Sequence, residues 1–198
     1  MYNSSIKGQT KGLNFSEHIE IPHKIFFNDM SKNYMCDEFH SCDVIFSEIS
    51  WPYGYQKLND SAKNVPDDYG KYISNINRMI EELNKPAFIV CGKCVERRFP
   101  MVRGRFPITI NSSSANMDGC VLYVWNYEYE EYMGMRNTRT LTDYLAKNFK
   151  RCLDPLCGYG EHLLKFNDFV ACDINRDCLT YLSVIYEQKR TGNGNSEG

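Results

Sequence analysis

Long hydrophobic runs are missing from this chain. No stretch reaches the roughly 18 consecutive apolar residues that a membrane-crossing helix needs, so no membrane association is expected. The opening residues, "MYNSSIKGQTKGLNF", contain no apolar segment of the kind a secretory leader requires. Charge of one sign is missing too. The chain has 23 Lys and Arg against 25 Asp and Glu, a net charge of −2. That balance gives no global attraction to nucleic acid, and any basic surface must be local. Histidine is sparse. The four, at positions 18, 23, 40 and 162, make no ligand cluster, and no metal is expected. His162 follows a glycine turn and is expected to cap it or to face solvent.

Cysteine, by contrast, is plentiful: nine residues, an odd count. Without a secretory leader these read as reduced thiols of an intracellular protein. Cys91 and Cys94 form "CGKC", half of a zinc site or a redox motif. No second pair has matching spacing, so structural thiols at a strand end are the preferred reading.

Along the chain, residues 1–22 read as a loose polar arm and 191–198, "TGNGNSEG", as a disordered tail. The stretch 23–190 reads as one domain, with no internal repeat and no linker. Apolar or β-branched runs mark strands at 23–29, 42–49, 87–92, 108–113, 119–127, 151–156 and 168–174. The turn before 119 is expected at "SANMDG". Helical spacing covers 68–85, through Tyr72, Ile73, Ile76, Met79, Ile80 and Leu83. It recurs over 137–150 and over "RDCLTYLSVIYEQKR", and "GEHLLKF" reads as a helix start. Residues 31–41 suggest a helical turn or loop, 56–68 a surface loop, and 93–107 a basic connector. Strands alternating with helices predict a mostly parallel α/β sheet covered on both faces, with one antiparallel strand from a hairpin. The sheet is expected to have about seven strands.

"CLDPLCGYG" with "FVACDIN" carries the clearest chemistry. The first run ends at Asp154. Gly158 and Gly160 would let the backbone approach a ligand where a Cβ would collide. Asp173 ends the next run about 20 residues on, where a carboxylate can hold ribose hydroxyls. The alternative is a structural turn with an ordinary Asp cap.

"LDPLCGYGEHLL" resembles motif I of the S-adenosylmethionine-dependent amino-methyltransferases that act on DNA bases, Asp-Pro-Phe-x-Gly-x-Gly. "ACDIN" is similar to their acidic motif II, and "NTRTLTDYLAKNFK" stands where their motif X precedes motif I. The resemblance implies a Rossmann-like class I methyltransferase sheet, with the strand of 151–155 beside that of 42–48 near its middle, and S-adenosylmethionine as cofactor. Asp154 and Pro155 would lie near its methionine end, the Cys157–Gly160 backbone would wrap it, and Asp173 would take the ribose. With motif I near the chain's end, the match is to circularly permuted members, whose catalytic half comes first. "HKIFFNDMSKNYMCDEFHSCDVIFSEISWPYGY" is similar to that first half. Asn28-Asp29 matches a Gly-Asp whose Asp approaches the adenine of the cofactor.

The family's catalytic motif is Asp, Asn or Ser, then Pro-Pro, then an aromatic. Here two registers fit, Ser50-Trp51-Pro52-Tyr53 or Glu48-Ile49-Ser50-Trp51, and neither contains Pro-Pro. An exocyclic base amine is a poor nucleophile and must be held in line with the methyl group. Glu48 or Ser50 could accept its hydrogens, and Trp51 or Tyr53 could stack on a base taken out of the helix. Trp51 and Tyr53 also read as ordinary packing aromatics. Lys93, Arg97, Arg98, Arg103 and Arg105, interleaved with Phe99 and Phe106, suit phosphate contact and base stacking, or else form a solvated connector. The expected activity is methylation of an exocyclic amine of a nucleic-acid base, DNA before RNA. The alternatives are a catalytically altered cofactor-binding or partner subunit, or a methyltransferase for RNA or a small molecule. The chain has no room for a separate target-recognition domain, so a partner subunit could supply specificity.

Overall fold

The computed structural model describes residues 24–49, 69–92, 99, 104–111, 116–128 and 136–192. Seven strands form one sheet: β1 (Ile25–Phe27), β2 (Val44–Glu48), β3 (Ala87–Gly92), β4 (Gly104–Asn111), β5 (Asn116–Trp125), β6 (Arg151–Asp154) and β7 (Asp168–Asp173). Their spatial order is β1-β7-β6-β2-β3-β5-β4. The first five are mutually parallel, and β5 runs antiparallel to both β3 and β4. The last two strands of the chain therefore lie between its first two. β6 pairs with β2 through Val44–Cys152 and Ile45–Leu153, as the sequence led one to expect.

Side chains alternate across the sheet and feed two cores. On one face α1 (Tyr69–Leu83) buries Tyr72, Ile73, Ile76, Met79 and Ile80 against Ile45, Ile89, Tyr123 and Leu153. The helix ends where Asn84 turns left-handed at φ 49° ahead of Pro86, which cannot continue it. On the other face α2 (Thr138–Asn148) and α3 (Arg176–Gly192) place Leu141, Leu145, Leu179 and Leu182 over Phe46, Phe88, Cys152 and Ala171. Asn137 caps α2, its side chain accepting the N–H of Thr140 at 2.9 Å. The helix α3 runs to Gly192, into the stretch read as tail. Among the described residues no helix is long and apolar enough to cross a membrane.

Three local expectations change. β4 begins at Gly104, inside the stretch read as a basic connector. It is the edge strand, so Pro107 forfeits no ladder bond that the sheet needs. β5 begins at Asn116, inside the expected turn, and the β4–β5 register shifts between Ile108 and Ile110 to accommodate it. "GEHLLKF" does not start an α-helix; Glu161–Lys165 is a single 3-10 turn. Only residues 155–167 join β6 to β7, and the glycine loop uses the first of them. Eight cysteines are described and all are free thiols. Cys91 is a fully buried residue of β3, while its companion Cys94 lies outside the described residues.

Candidate functional site

Four neighbouring parallel strands, β1, β7, β6 and β2, end beside carboxylates: Asp29, Asp173, Asp154 and Glu48. From β6 the chain crosses towards β7, and from β2 it crosses the other way, towards β3. The connections thus part between β6 and β2. In an open α/β sheet this parting leaves a crevice at the carboxyl ends of the strands, where ligands bind.

Asp154 is almost wholly buried, at 1% exposure, and its carboxylate is consumed by the protein. One oxygen, Oδ1, accepts the Ser47 hydroxyl at 2.7 Å and the Leu156 N–H at 3.1 Å. The other, Oδ2, lies 2.8 Å from His162 Nε2. His162 is therefore not a cap: it is half-buried and paired with Asp154. Its ring also meets Phe46 edge-on, with centroids 5.1 Å apart. Pro155 turns its carbonyl to the Cys172 thiol at 3.3 Å.

The loop that follows is held by backbone bonds. Cys157 N–H donates to Cys172 O at 3.0 Å, and Gly160 N–H to Cys157 O at 2.8 Å. The two glycines do different work. Both are left-handed, at φ 52° for Gly158 and 62° for Gly160. A Cβ on Gly160 would strike Leu182 of α3 at 2.6 Å, so this glycine allows the helix to pack closely. A Cβ on Gly158 would meet nothing within 4 Å, so its bare face opens outward. Gly160 thus has a packing role in addition to the ligand role expected of it. Cys157 is buried, and burial pushes its thiol well above the usual range, so it is no ready nucleophile.

Asp173 Oδ2 accepts the Gly158 N–H at 2.8 Å, and Oδ1 accepts the Asn175 N–H at 2.8 Å. Burial nevertheless raises its carboxyl above the usual range, against the pull of those two amides. On the far side, Asn28 N–H donates to Asp173 O at 3.1 Å, which brings Asp29 to the same end of the sheet. Asp29 closes its own turn, accepting the Ser31 N–H and hydroxyl at 3.0 and 2.6 Å and pairing with Lys32 at 3.2 Å.

Glu48 ends β2 opposite Val90. Burial raises its carboxyl too, offset by the nearby His162 and by a hydrogen bond with Thr138. Thr138 is itself held, because its hydroxyl oxygen accepts the Asn111 N–H at 3.1 Å.

The expected cofactor residues Asp29, Asp154, Pro155, Cys157, Gly158, Gly160 and Asp173 thus gather at one end of the sheet with Glu48. Ser50, Trp51, Pro52 and Tyr53 lie outside the described residues, as do Lys93, Arg97, Arg98 and Arg103. Arg105 is exposed on the edge strand β4. Sequence reasoning missed Ser47, Thr138 and the pairing of His162. Only the spacing of His162 from Asp154, either side of the glycine loop, could have pointed to one of them.

No family model and no curated protein matches the chain. Among solved structures it is similar to TTHA0409, a putative DNA modification methylase from Thermus thermophilus. The identity is 13% and the TM-score 0.48, over 84% of this chain and 95% of that one. It is also similar to M1.HpyAVI, solved as a complex with SAM, at 13% identity and TM-score 0.44, over 84% and 97% of the two chains.

Proposed function

We propose that this chain is an S-adenosylmethionine-dependent methyltransferase of circularly permuted strand order, acting on an exocyclic amine of a nucleic-acid base, DNA before RNA. The observation that carries the reading is the parting of the chain between β6 and β2, with the open face of Gly158 and the carboxylate of Asp173 beside it. A small nucleoside fits such a place. The bare Gly158 backbone admits it closely, and Asp173 offers oxygens to ribose hydroxyls. Asp29, one strand further out, stands on the adenine side. The permuted order is supported by β6 and β7, last in the chain, lying between β1 and β2.

When bound, the cofactor supplies an electrophilic methyl group on a sulfonium. The chain's part is to hold an acceptor amine in line with it. That amine would sit where β2 runs out, from Glu48 onward. Glu48 is engaged with Thr138 and His162, which favours Ser50 as amine acceptor and Tyr53 as stacking face over Glu48 with Trp51. The basic residues Lys93, Arg97, Arg98, Arg103 and Arg105 would meet phosphate. The domain is proposed to span 23–190, inside a cell, with a partner subunit supplying target selection.

A second reading has two observations in its favour: Glu48 is engaged by Thr138, and "SEISWPYGY" lacks Pro-Pro. On it the chain is a cofactor-binding subunit without catalysis of its own. Incubation with methyl-labelled S-adenosylmethionine and DNA, RNA or no acceptor, followed by nucleoside analysis, separates the two. Label in N6-methyladenine or N4-methylcytosine supports the enzyme; cofactor binding with no label in any arm supports the subunit.

A further inference from the structure

Thr138 is the first residue of α2, and it is almost wholly buried. It helps to fasten the start of that helix to the edge strand β4. Thr109 N–H donates to Arg136 O at 2.9 Å, and Asn111 N–H donates to the Thr138 hydroxyl oxygen at 3.1 Å. The hydroxyl makes a second hydrogen bond, to the Glu48 carboxylate at the end of β2. A hydroxyl has one proton to give, and an ionised carboxylate only accepts. With the hydroxyl oxygen accepting from Asn111, its proton goes to Glu48. Thr138 thus bridges two strands that do not pair with each other, with β5 and β3 between them.

Fastening α2 to β4 needs no contact with Glu48, because the Arg136 carbonyl and the Asn111 amide already do it. What the contact with Glu48 fixes is the place where β2 ends. The backbone there is held by Ile49 N–H, which donates to Val90 O at 2.9 Å. His162 and Asp154 also act on the Glu48 side chain, but through space rather than through a hydrogen bond. A field through space leaves a carboxylate free to turn, whereas a hydrogen bond sets its direction. Resting on the methyltransferase reading, the acceptor amine lies where β2 runs out, within reach of Ser50 and Tyr53. In-line transfer is sensitive to placement, and a displacement of about 1 Å can cost about a hundredfold in rate.

We propose that Thr138 is a positioning residue for methyl transfer, acting through Glu48. Its hydrogen bond holds the carboxylate, and with it the point from which the segment carrying the amine acceptor departs. The pair therefore governs turnover and not affinity for the cofactor. Thr138→Val removes the donated proton and keeps the branched shape, while Thr138→Ser keeps the proton.

The test is methyl transfer from labelled S-adenosylmethionine to DNA and to RNA. Turnover is taken per site that binds S-adenosylhomocysteine in calorimetry, so an unfolded fraction does not count. Thr138→Val should lower kcat about tenfold with unchanged affinity for S-adenosylhomocysteine, and Thr138→Ser should keep most of the wild-type rate. Glu48→Ala should lower kcat to a similar degree, and Thr138→Val added to it should cost nothing further. An unchanged kcat in Thr138→Val, or the same further loss in the Glu48→Ala background, overturns the assignment and leaves the methyltransferase reading standing. So does a Glu48→Ala variant without measurable transfer, which would make Glu48 itself the amine acceptor. A wild type that labels neither nucleic acid overturns both.

Discussion

β6 and β7 are neighbouring strands, each ending in an aspartate at the same end of the sheet, yet the two ends are built differently. At the end of β6, Asp154 is sealed in and satisfied largely by side chains, one of them from the chain's first half: Ser47 on β2. At the end of β7, Asp173 is bonded to two backbone amides of adjacent turns, those of Gly158 and Asn175. The first end ties β6, late in the chain, to β2, early in it. The second shapes a loop and stands at its rim. One acidic residue is sealed within the fold and the other stands partly exposed, although in sequence each is simply an Asp closing an apolar run.

The contrast predicts a large difference in stability. Asp154→Ala strands the Ser47 hydroxyl, the Leu156 amide and the His162 ring, and should cost about 3 kcal/mol in urea unfolding. Asp173→Ala leaves two amides near the surface and should cost about 1 kcal/mol. Equal losses would break the distinction. The glycines sharpen it next. Gly160→Ala combines a left-handed strain of about 1–2 kcal/mol with overpacking against Leu182, for a total of about 2–3 kcal/mol. Gly158→Ala carries the strain alone, about 1 kcal/mol, because its Cβ meets open space. Gly158→Val should abolish cofactor binding while the protein stays folded. Thermal unfolding alongside calorimetry reads both effects.

Much of this was legible in the sequence. The element order and the antiparallel hairpin strand follow from apolar periodicity and turn residues, which act locally, while the meeting of β6 with β2 was legible only through the family resemblance of the two half-patterns. The pair Asp154 and Asp173 was legible because glycine spacing marks a loop with few conformational choices. What was hidden is the pairing of distant side chains. Ser47 and Asp154 are 107 residues apart, and nothing in either neighbourhood signals the other. The work of Gly160 was hidden for the same reason, since Leu182 belongs to a later helix. The start of β4 was missed because Gly104 and Pro107 read as breakers, although an edge strand tolerates them.

A smaller effect concerns pH. Burial raises the Asp173 carboxyl in the folded chain, so the folded state holds that proton more tightly than the unfolded one does. Its stabilising contribution is complete below the ordinary carboxylate range and is lost as pH rises through the raised folded value. Asp173→Asn does not titrate. Its stability relative to wild type should therefore improve from acid to neutral pH, by about 1 kcal/mol or less. Urea midpoints on either side of the carboxylate range measure this, and a parallel pair of curves would contradict it.

The central claim is that the crevice between β7, β6 and β2 holds an S-adenosyl ligand, with the ribose on Asp173. Calorimetric titration of S-adenosylhomocysteine into wild type and Asp173→Ala tests it most directly. The account predicts one site per chain, weakened in the variant by about 1.5–3 kcal/mol, with the fold retained. Absence of binding to wild type, or the same affinity in both proteins, would contradict it.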